Sequence, residues 1–312
     1  MNPKVTVIIC TYNRADLLSE TLPTVLNQNV PQSIYDVLIV NNNSNDSTEK
    51  ILENFSRSYS NLSVINETKQ GLSYARNTGY LNATTEWIIY LDDDALVPSD
   101  FVEIAQQTII YDKYDCFGGV YFPWYKYGKP KWFKDIYAST AELYKQNNGH
   151  KLQYASGGIM AIRKSLLIEF NGFPAHLGMK GNTMAYGEET FLQNQMKRKG
   201  YTIGILPKWN INHIVNKYKL NPIWFINNGY VSGRDAWTIY GEKPRFKSII
   251  KHMLNTILML FKNLTITTPK LFHQNYYRQN WFIETFHPIS IQFGRVIGSL
   301  QLILNKDKGV PE

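Results

Sequence analysis

The first ninety or so residues alternate short β-rich apolar runs with amphipathic stretches, and that alternation restricts the fold more than any other feature. Strands are expected over residues 5–9, 37–40, 62–65 and 87–91. Between them, residues 16–27 read as a helix with Leu17, Leu18, Leu22, Val25 and Leu26 on one face, and further helices are expected over 48–55 and 72–81. Strands joined by helical crossovers pair in parallel and have both faces covered, so a doubly wound α/β sheet follows. In such sheets ligands sit at the carboxyl ends of the strands. Thr11-Tyr12-Asn13-Arg14, Asn41-Asn42-Asn43-Ser44 and the triplet Asp92-Asp93-Asp94 all fall there.

The triplet carries the clearest chemistry. Three adjacent carboxylates repel one another, so a fold that keeps them at a strand exit neutralises them with a cation or with ligand donors. In extended backbone Asp92 and Asp94 point to one side, which offers a divalent ion two oxygen ligands, and Asp93 faces the other way. A solvated turn or a helix cap is the competing reading.

The pattern loosens after a helix over residues 99–110. A strand is expected over 116–121, then a loop over 122–135 that holds Trp124, Tyr125, Tyr127, Trp132 and Phe133 among lysines. Residues 155–160 read as a strand or Gly-rich turn and 164–170 as a helix. A polar loop runs to Gly187, then a helix over 188–199 with acids first and bases last, and a strand over 202–206 that stops before Pro207. Beyond Val215 the parallel pattern ends, and residues 221–260 read as mainly helical with exposed bases.

A chain of 312 residues with 44% hydrophobic content can bury a full core, as one large domain with an appendage. Its two cysteines, Cys10 and Cys116, make no disulfide framework. Residues 5–9 are too short for a signal-peptide core and have no cleavage pattern, so the expected location is cytoplasmic. The net charge of +8 is uneven: from Arg245 to Glu312 there are nine Lys/Arg against three Asp/Glu, so +6 of it lies in the last fifth of the chain. The apolar run 249–261 is too short and interrupted to span a bilayer. It suits either the surface of an anionic leaflet, at the inner face of the cytoplasmic membrane, or packing on the core or in a dimer. No nucleic-acid partner is expected. An aromatic content of 14% suits stacking on sugars or bases.

Five motifs, in order, carry a resemblance: residues 5–14, residues 40–44 with Asp46, Gly71-Leu72-Ser73-Tyr74-Ala75-Arg76-Asn77, Leu91-Asp92-Asp93-Asp94 and Gly187-Glu188-Glu189-Thr190. Together they resemble a family 2 glycosyltransferase of the A-type fold over about residues 3–215. The resemblance implies a mainly parallel Rossmann-like sheet flanked by helices, with a C-terminal helical extension. The expected division is a catalytic domain over 1–215, made of a nucleotide-sugar-binding half (1–110) and an acceptor half (111–215), and a basic, mainly helical region over 216–312.

The implied reaction is inverting transfer from a nucleoside-diphosphate sugar, a UDP-sugar being favoured, to a hydroxyl of a glycan or lipid-linked saccharide. Mn²⁺ or Mg²⁺ would offset the developing diphosphate charge. For the donor, Tyr12 would pack on the base, Thr11 and Arg14 would bond ribose or phosphate, and Asn42 would meet the base edge where relatives often carry an acid. Arg76 would pair with the pyrophosphate or orient the aspartates. Asp92 is expected on the ribose and Asp94 on the metal, with Asp93 as the alternative ligand, and His213 completes the metal or diphosphate site. Glu189 would be the base that deprotonates the acceptor, with Glu188 as the alternative; relatives usually have Glu-Asp there. Trp124 and Trp132 would wall the acceptor, and Arg234 would help bind acceptor or diphosphate. The rivals are a non-catalytic nucleotide-sugar-binding module and a sugar-phosphate nucleotidylyltransferase, which would want a Gly-rich basic loop where Cys10-Thr11-Tyr12-Asn13 stands.

Overall fold

The computed structural model describes residues 4–146, 153–181 and 183–304. Residues 305–312 of the expected C-terminal region lie outside the described residues. The first half follows the alternation: β1 (Val5–Thr11), α1 (Ala15–Leu26), β2 (Tyr35–Asn41), α2 (Thr48–Ser58), β3 (Leu62–Asn66), α3 (Leu72–Asn82) and β4 (Trp87–Asp92). β1 lies between β2 and β4, parallel to both, and β3 extends the parallel set beyond β2. Successive side chains leave a strand on opposite faces. Val5, Val7 and Ile9 accordingly join Leu18 and Leu22 of α1 in one core, and Ile8, Leu38 and Val40 join Ala75 and Tyr80 of α3 in the other.

The second half comprises β5 (Ala95–Leu96), α4 (Phe101–Ile110), β6 (Cys116–Trp124), α5 (Thr140–Gln146), β7 (Ile159–Arg163), α6 (Lys164–Glu169), α7 (Glu188–Arg198) and β8 (Ile203–Ile214). One eight-stranded sheet is formed among the described residues, in the order β3-β2-β1-β4-β7-β6-β8-β5. β7 runs antiparallel to both β4 and β6, β8 runs parallel to β6, and β5 runs antiparallel to β8. The sheet is therefore mixed: it is parallel from β3 through β4, as the alternation of strands and helices implies, and keeps one more parallel pair, β6 with β8, among the antiparallel strands of the second half. Parallel pairing was legible through its crossover helices, and that signal fades after β6.

Two strands outrun their expected ends. β6 continues through Phe122 to Trp124, part of the expected aromatic loop. β8 passes Pro207 and reaches Ile214, because the ladder with β6 changes register between the pairs Gly118 with Ile205 and Val120 with Asn210. Pro207 sits in that irregularity, exposed, where the missing N–H breaks no ladder bond. Trp209, just after it, turns into the core, stacks on Phe101 at 4.9 Å and donates its indole N–H to the Phe101 carbonyl at 2.9 Å. A Cβ on Gly119 would lie 2.0 Å from the Trp209 carbonyl oxygen, so only glycine lets the strands close there.

The sheet belongs to a first compact unit of Met1–Trp124, Asp135–Thr183 and Glu188–Ile214. A second unit comprises Tyr125–Lys134, Met184–Gly187 and Val215–Glu312. It holds α8 (Pro222–Ile239), α9 (Phe246–Thr267) and α10 (Arg278–Leu304). α8 opens with Pro222 in its first turn and Asn221 accepting the Ile223 N–H at 3.0 Å, a capped start. α8 and α10 meet backbone to backbone: a Cβ on Gly233 would lie 2.0 Å from the Ile291 carbonyl oxygen, and one on Gly294 would lie 2.1 Å from that of Tyr230.

Because Trp209 is the largest fully buried side chain and both stacks and hydrogen-bonds, Trp209→Ala should cost about 3–5 kcal/mol. Urea unfolding followed by circular dichroism measures this.

Candidate active site

At the end of β1 the chain turns sharply through Asn13, whose φ of 52° is one that asparagine tolerates better than most residues. The loop after β2 locks this turn in place. Ser44 Oγ accepts the Asn13 N–H at 3.0 Å, Thr48 Oγ1 accepts that of Arg14 at 3.2 Å, and Asp46 accepts from both Ala15 and Thr48. Asp46 thus satisfies backbone donors at the starts of α1 and α2. Asn42 is likewise engaged: its amide donates to the Glu67 and Lys69 carbonyls, and its Oδ1 accepts the Gly71 N–H at 2.8 Å. The loops bearing Tyr12, Arg14 and Asn42 are therefore tied to one another and to the start of α3.

The three aspartates diverge at the end of β4. Asp92 Oδ2 and Asp94 Oδ1 lie 3.3 and 3.0 Å from Nε2 of His213. Asp93 turns instead to Arg14, with 3.8 Å from Oδ1 to Nε, and its carbonyl accepts from Thr21. Burial and the neighbouring Asp94 push the Asp93 carboxyl up to about 7, against the pull of Arg14. What carries Asp94 to His213 is the two-residue strand β5. Ala95 pairs with His213, and the Asp94 carbonyl accepts the Ile214 N–H at 3.1 Å. His213 Nδ1 lies 3.1 Å from the Ile214 carbonyl oxygen, and a proton there leaves the Nε2 lone pair aimed at the two carboxylates.

Asp92, Asp94 and His213 each present one ligand atom, all within 4.8 Å of one another. Two hard carboxylate oxygens and one imidazole suit a divalent ion and leave its other positions open to phosphate and water. The donor set therefore fits Mn²⁺ or Mg²⁺.

Beside Asp92 lies Arg76, almost fully buried. Its Nη1 donates to Glu188 Oε1 at 2.5 Å, Nη2 lies 3.9 Å from Asp92 Oδ1, and the guanidinium sits over the rings of Tyr90 and Phe173. Burial alone would lower its pKa, but Glu188, Glu189 and Asp92 outweigh that, so the charge is held. Glu188, opening α7, is equally buried and neutralised by this pair. Glu189 forms no ion pair among the described residues, and burial together with the Glu188 charge pushes it up to about 8. Burial also pushes the Cys10 thiol up to about 12, which rules it out as a nucleophile near neutral pH.

The remaining expected residues are dispersed. Trp124 ends β6 opposite Ile214, one position beyond the partner of His213. Trp132 belongs to the second unit, buried against Phe133, and its carbonyl accepts from Asn280 at 2.6 Å. Arg234, also in that unit, forms a two-pronged pair with Asp235 at 2.7 and 2.9 Å. Gly157 and Gly158, expected only as part of a strand or turn, prove to be part of the site. A Cβ on Gly157 would lie 2.4 Å from Arg76 Nη2, and one on Gly158 would lie 2.2 Å from Asp92 Oδ2. The doubled glycine was the available signal, since such pairs mark close approach of backbone to another group.

The model of the family described as "Glycosyl transferase family 2" matches residues 6–170. The curated glycosyltransferase AglE of Haloferax volcanii is 32% identical over 177 residues, 56% of this chain and 57% of that protein. The chain thus spans little more than half the length of that relative, and smaller shares of several others. The solved mannosyltransferase PcManGT of Pyrobaculum calidifontis, in complex with GDP-Man and Mn²⁺, superposes with a TM-score of 0.65 at 20% identity, covering 98% of this chain and 88% of that one. S. aureus TarS 1–349 with UDP-GlcNAc gives 0.54 at 16% identity, covering 98% and 92%. The sheet with acids at its strand ends is the A-type glycosyltransferase fold. The chain belongs to glycosyl transferase family 2.

Replacing Arg76 by Met strands Glu188 as an uncompensated buried charge, so stability should fall by about 3–5 kcal/mol at neutral pH. Adding Glu188→Gln should recover part of that loss, and a double-mutant cycle of urea unfolding free energies measures both.

Proposed function

We propose that the chain transfers a sugar, with inversion, from a nucleoside-diphosphate sugar to a hydroxyl of a glycan or lipid-linked saccharide. A UDP-sugar is the favoured donor. The observation that carries this reading is the convergence of two acidic groups on Arg76: the guanidinium touches Asp92 of the ligand set on one side and Glu188, neighbour of Glu189, on the other. A divalent cation bound to Asp92, Asp94 and His213 would supply charge neutralisation for the departing diphosphate. Thr11, Tyr12, Arg14 and Asp93, at the ends of β1 and β4, are the groups proposed to hold base, ribose and phosphate; Asn42 shapes their loops. Trp124, beside the cluster, is kept as an acceptor contact. Trp132 and Arg234, each engaged within the second unit, are assigned no such contact.

Glu189 is proposed as the base. Its neighbour Glu188 is held in the buried ion pair with Arg76, whereas Glu189 has a pKa high enough to accept a proton from a hydroxyl as the oxygen attacks the anomeric carbon. A non-catalytic binding module has no use for a carboxylate kept in this state. A lipid-linked acceptor would offer its hydroxyl at a bilayer surface, so we place the reaction there.

A panel of UDP- and GDP-sugars with Mn²⁺ or Mg²⁺, read by nucleoside diphosphate release, tests the reading. Asp94→Ala should abolish cation-dependent nucleotide binding, as chelation should in the parent protein. Glu189→Gln should keep that binding and lose turnover by about 10²–10⁴-fold. Near-normal transfer by this variant would show the base to be another group.

The pH dependence follows from the raised pKa. Below about 8 Glu189 is protonated and cannot act as base, so kcat/KM should rise with pH through that value and then level off. The same shift couples stability to pH: the folded state keeps, and is stabilised by, a proton that the unfolded chain releases near the ordinary glutamate pKa of 4.5. That contribution is complete below the unfolded value and is lost as pH rises through about 8, so Glu189→Gln should show a smaller fall in Tm over this window.

A further inference from the structure

Helix α9 carries a surface that the transfer chemistry does not use, and its polarity is the reverse of an ordinary surface helix. The side against α10 is held by polar groups. His252 Nδ1 lies 2.7 Å from Gln292 Oε1, Asn263 donates to the Thr285 carbonyl at 2.9 Å, and the Thr267 and Thr285 hydroxyls are 2.7 Å apart. The outward side carries Ile250, Met253, Leu254, Ile257, Leu258 and Phe261, between 46% and 65% exposed. At about 100° per residue these six form one arc; Lys251 and Lys262 line one edge of it and Lys247 lies just inside that edge, all three exposed. Residues 243–283 contain seven Lys/Arg and no Asp or Glu.

We propose that this face of α9 docks on an anionic lipid bilayer, with its apolar arc at the acyl boundary and its lysines at the level of the phosphates. Three features select this occupant. The helix has 22 residues, but no helix of the described residues is long and apolar enough to cross a membrane, so α9 lies in the surface. A second copy of α9 would bring an identical lysine edge and no acid to meet it, whereas an anionic leaflet supplies negative charge along the whole edge. The arc is also open among the described residues, none of which covers it. The proposal deepens the reading of an acceptor presented at a bilayer, yet its evidence lies in α9 alone.

The test is co-sedimentation of the full chain with vesicles of phosphatidylcholine, with or without phosphatidylglycerol, in the absence of donor. Binding is expected on the anionic vesicles only, weakening as salt is raised. Leu254→Glu with Leu258→Glu should weaken it at least roughly tenfold. Lys247→Gln, Lys251→Gln and Lys262→Gln should each weaken it roughly fivefold and together remove most of the salt dependence. All five positions are exposed, so far-UV circular dichroism and Tm should stay at parent values, and a variant that fails this control is replaced by Leu254→Ser with Leu258→Ser.

Parent protein that does not sediment with anionic vesicles overturns the proposal, as does undiminished binding by folded apolar-face variants. A dimer by light scattering that Leu254→Glu with Leu258→Glu dissociates, without vesicle binding, would assign the face to a second copy. Vesicle binding without nucleoside diphosphate release in the sugar panel would leave docking intact and overturn the transfer reading instead.

Discussion

The buried guanidinium of Arg76 is the interaction on which the site depends. A charge taken out of water costs several kcal/mol unless it is paired, and this one is paired at 2.5 Å with an equally buried carboxylate. The pair joins α3 to the start of α7, and the longer contact to Asp92 reaches the end of β4. Three elements, two of them consecutive and the third about a hundred residues on, are thereby held by one planar group with several donors, a task for which lysine lacks the geometry. Tyr90 and Phe173 face the guanidinium and Gly157 leaves it room, so its orientation is set from every described side. The same pairing separates the two adjacent glutamates: one is neutralised by Arg76, and the other keeps its raised proton affinity.

The acidic triplet is divided in a comparable way. β4 ends at Asp92, and the turn through Asp93 and Asp94 sends Asp92 and Asp94 to His213 and Asp93 to Arg14. The mutual repulsion of the three carboxylates is thus met by two different cationic or cation-binding environments. β5 makes this possible, because pairing Ala95 with His213 fixes the distance between Asp94 and the imidazole through backbone bonds. A ligand set built on paired strands is held more tightly than one hung on a loop.

The parallel half of the fold was legible in the sequence because each strand there has an apolar run and helical stretches alternate with them, α1 with a clear hydrophobic face. The mixed half was less so. β8 was cut short at Pro207, since proline normally ends a strand, and only the register change against Gly119 shows why it does not. Of the site, the strand-end aspartates and the glutamate pair announced themselves by clustered charge. The engagement of Asn42 by the Glu67–Gly71 backbone and the burial of Trp132 left no trace in composition or spacing, because each depends on what the folded chain brings alongside. Asn42 is the instructive case. A polar residue at a strand end reads as a ligand contact, but a buried amide whose donors and acceptor already serve backbone groups has little left to offer.

The two units are built on opposite principles. In the first, leucines, isoleucines and aromatics fill both faces of a sheet, and the buried charge of Glu188 is balanced by Arg76. In the second, much of what joins the helices is polar: His252 to Gln292, Asn263 and Thr267 to Thr285, and Glu284 between Lys134 and Lys270. Glycine contacts between α8 and α10 add close van der Waals packing, a contribution that also operates in a lipid environment. A helix that places hydrogen bonds inside and leucines outside loses free energy in water through its exposed face. That face is stabilised only against something apolar, and its uninterrupted positive flank limits what that can be.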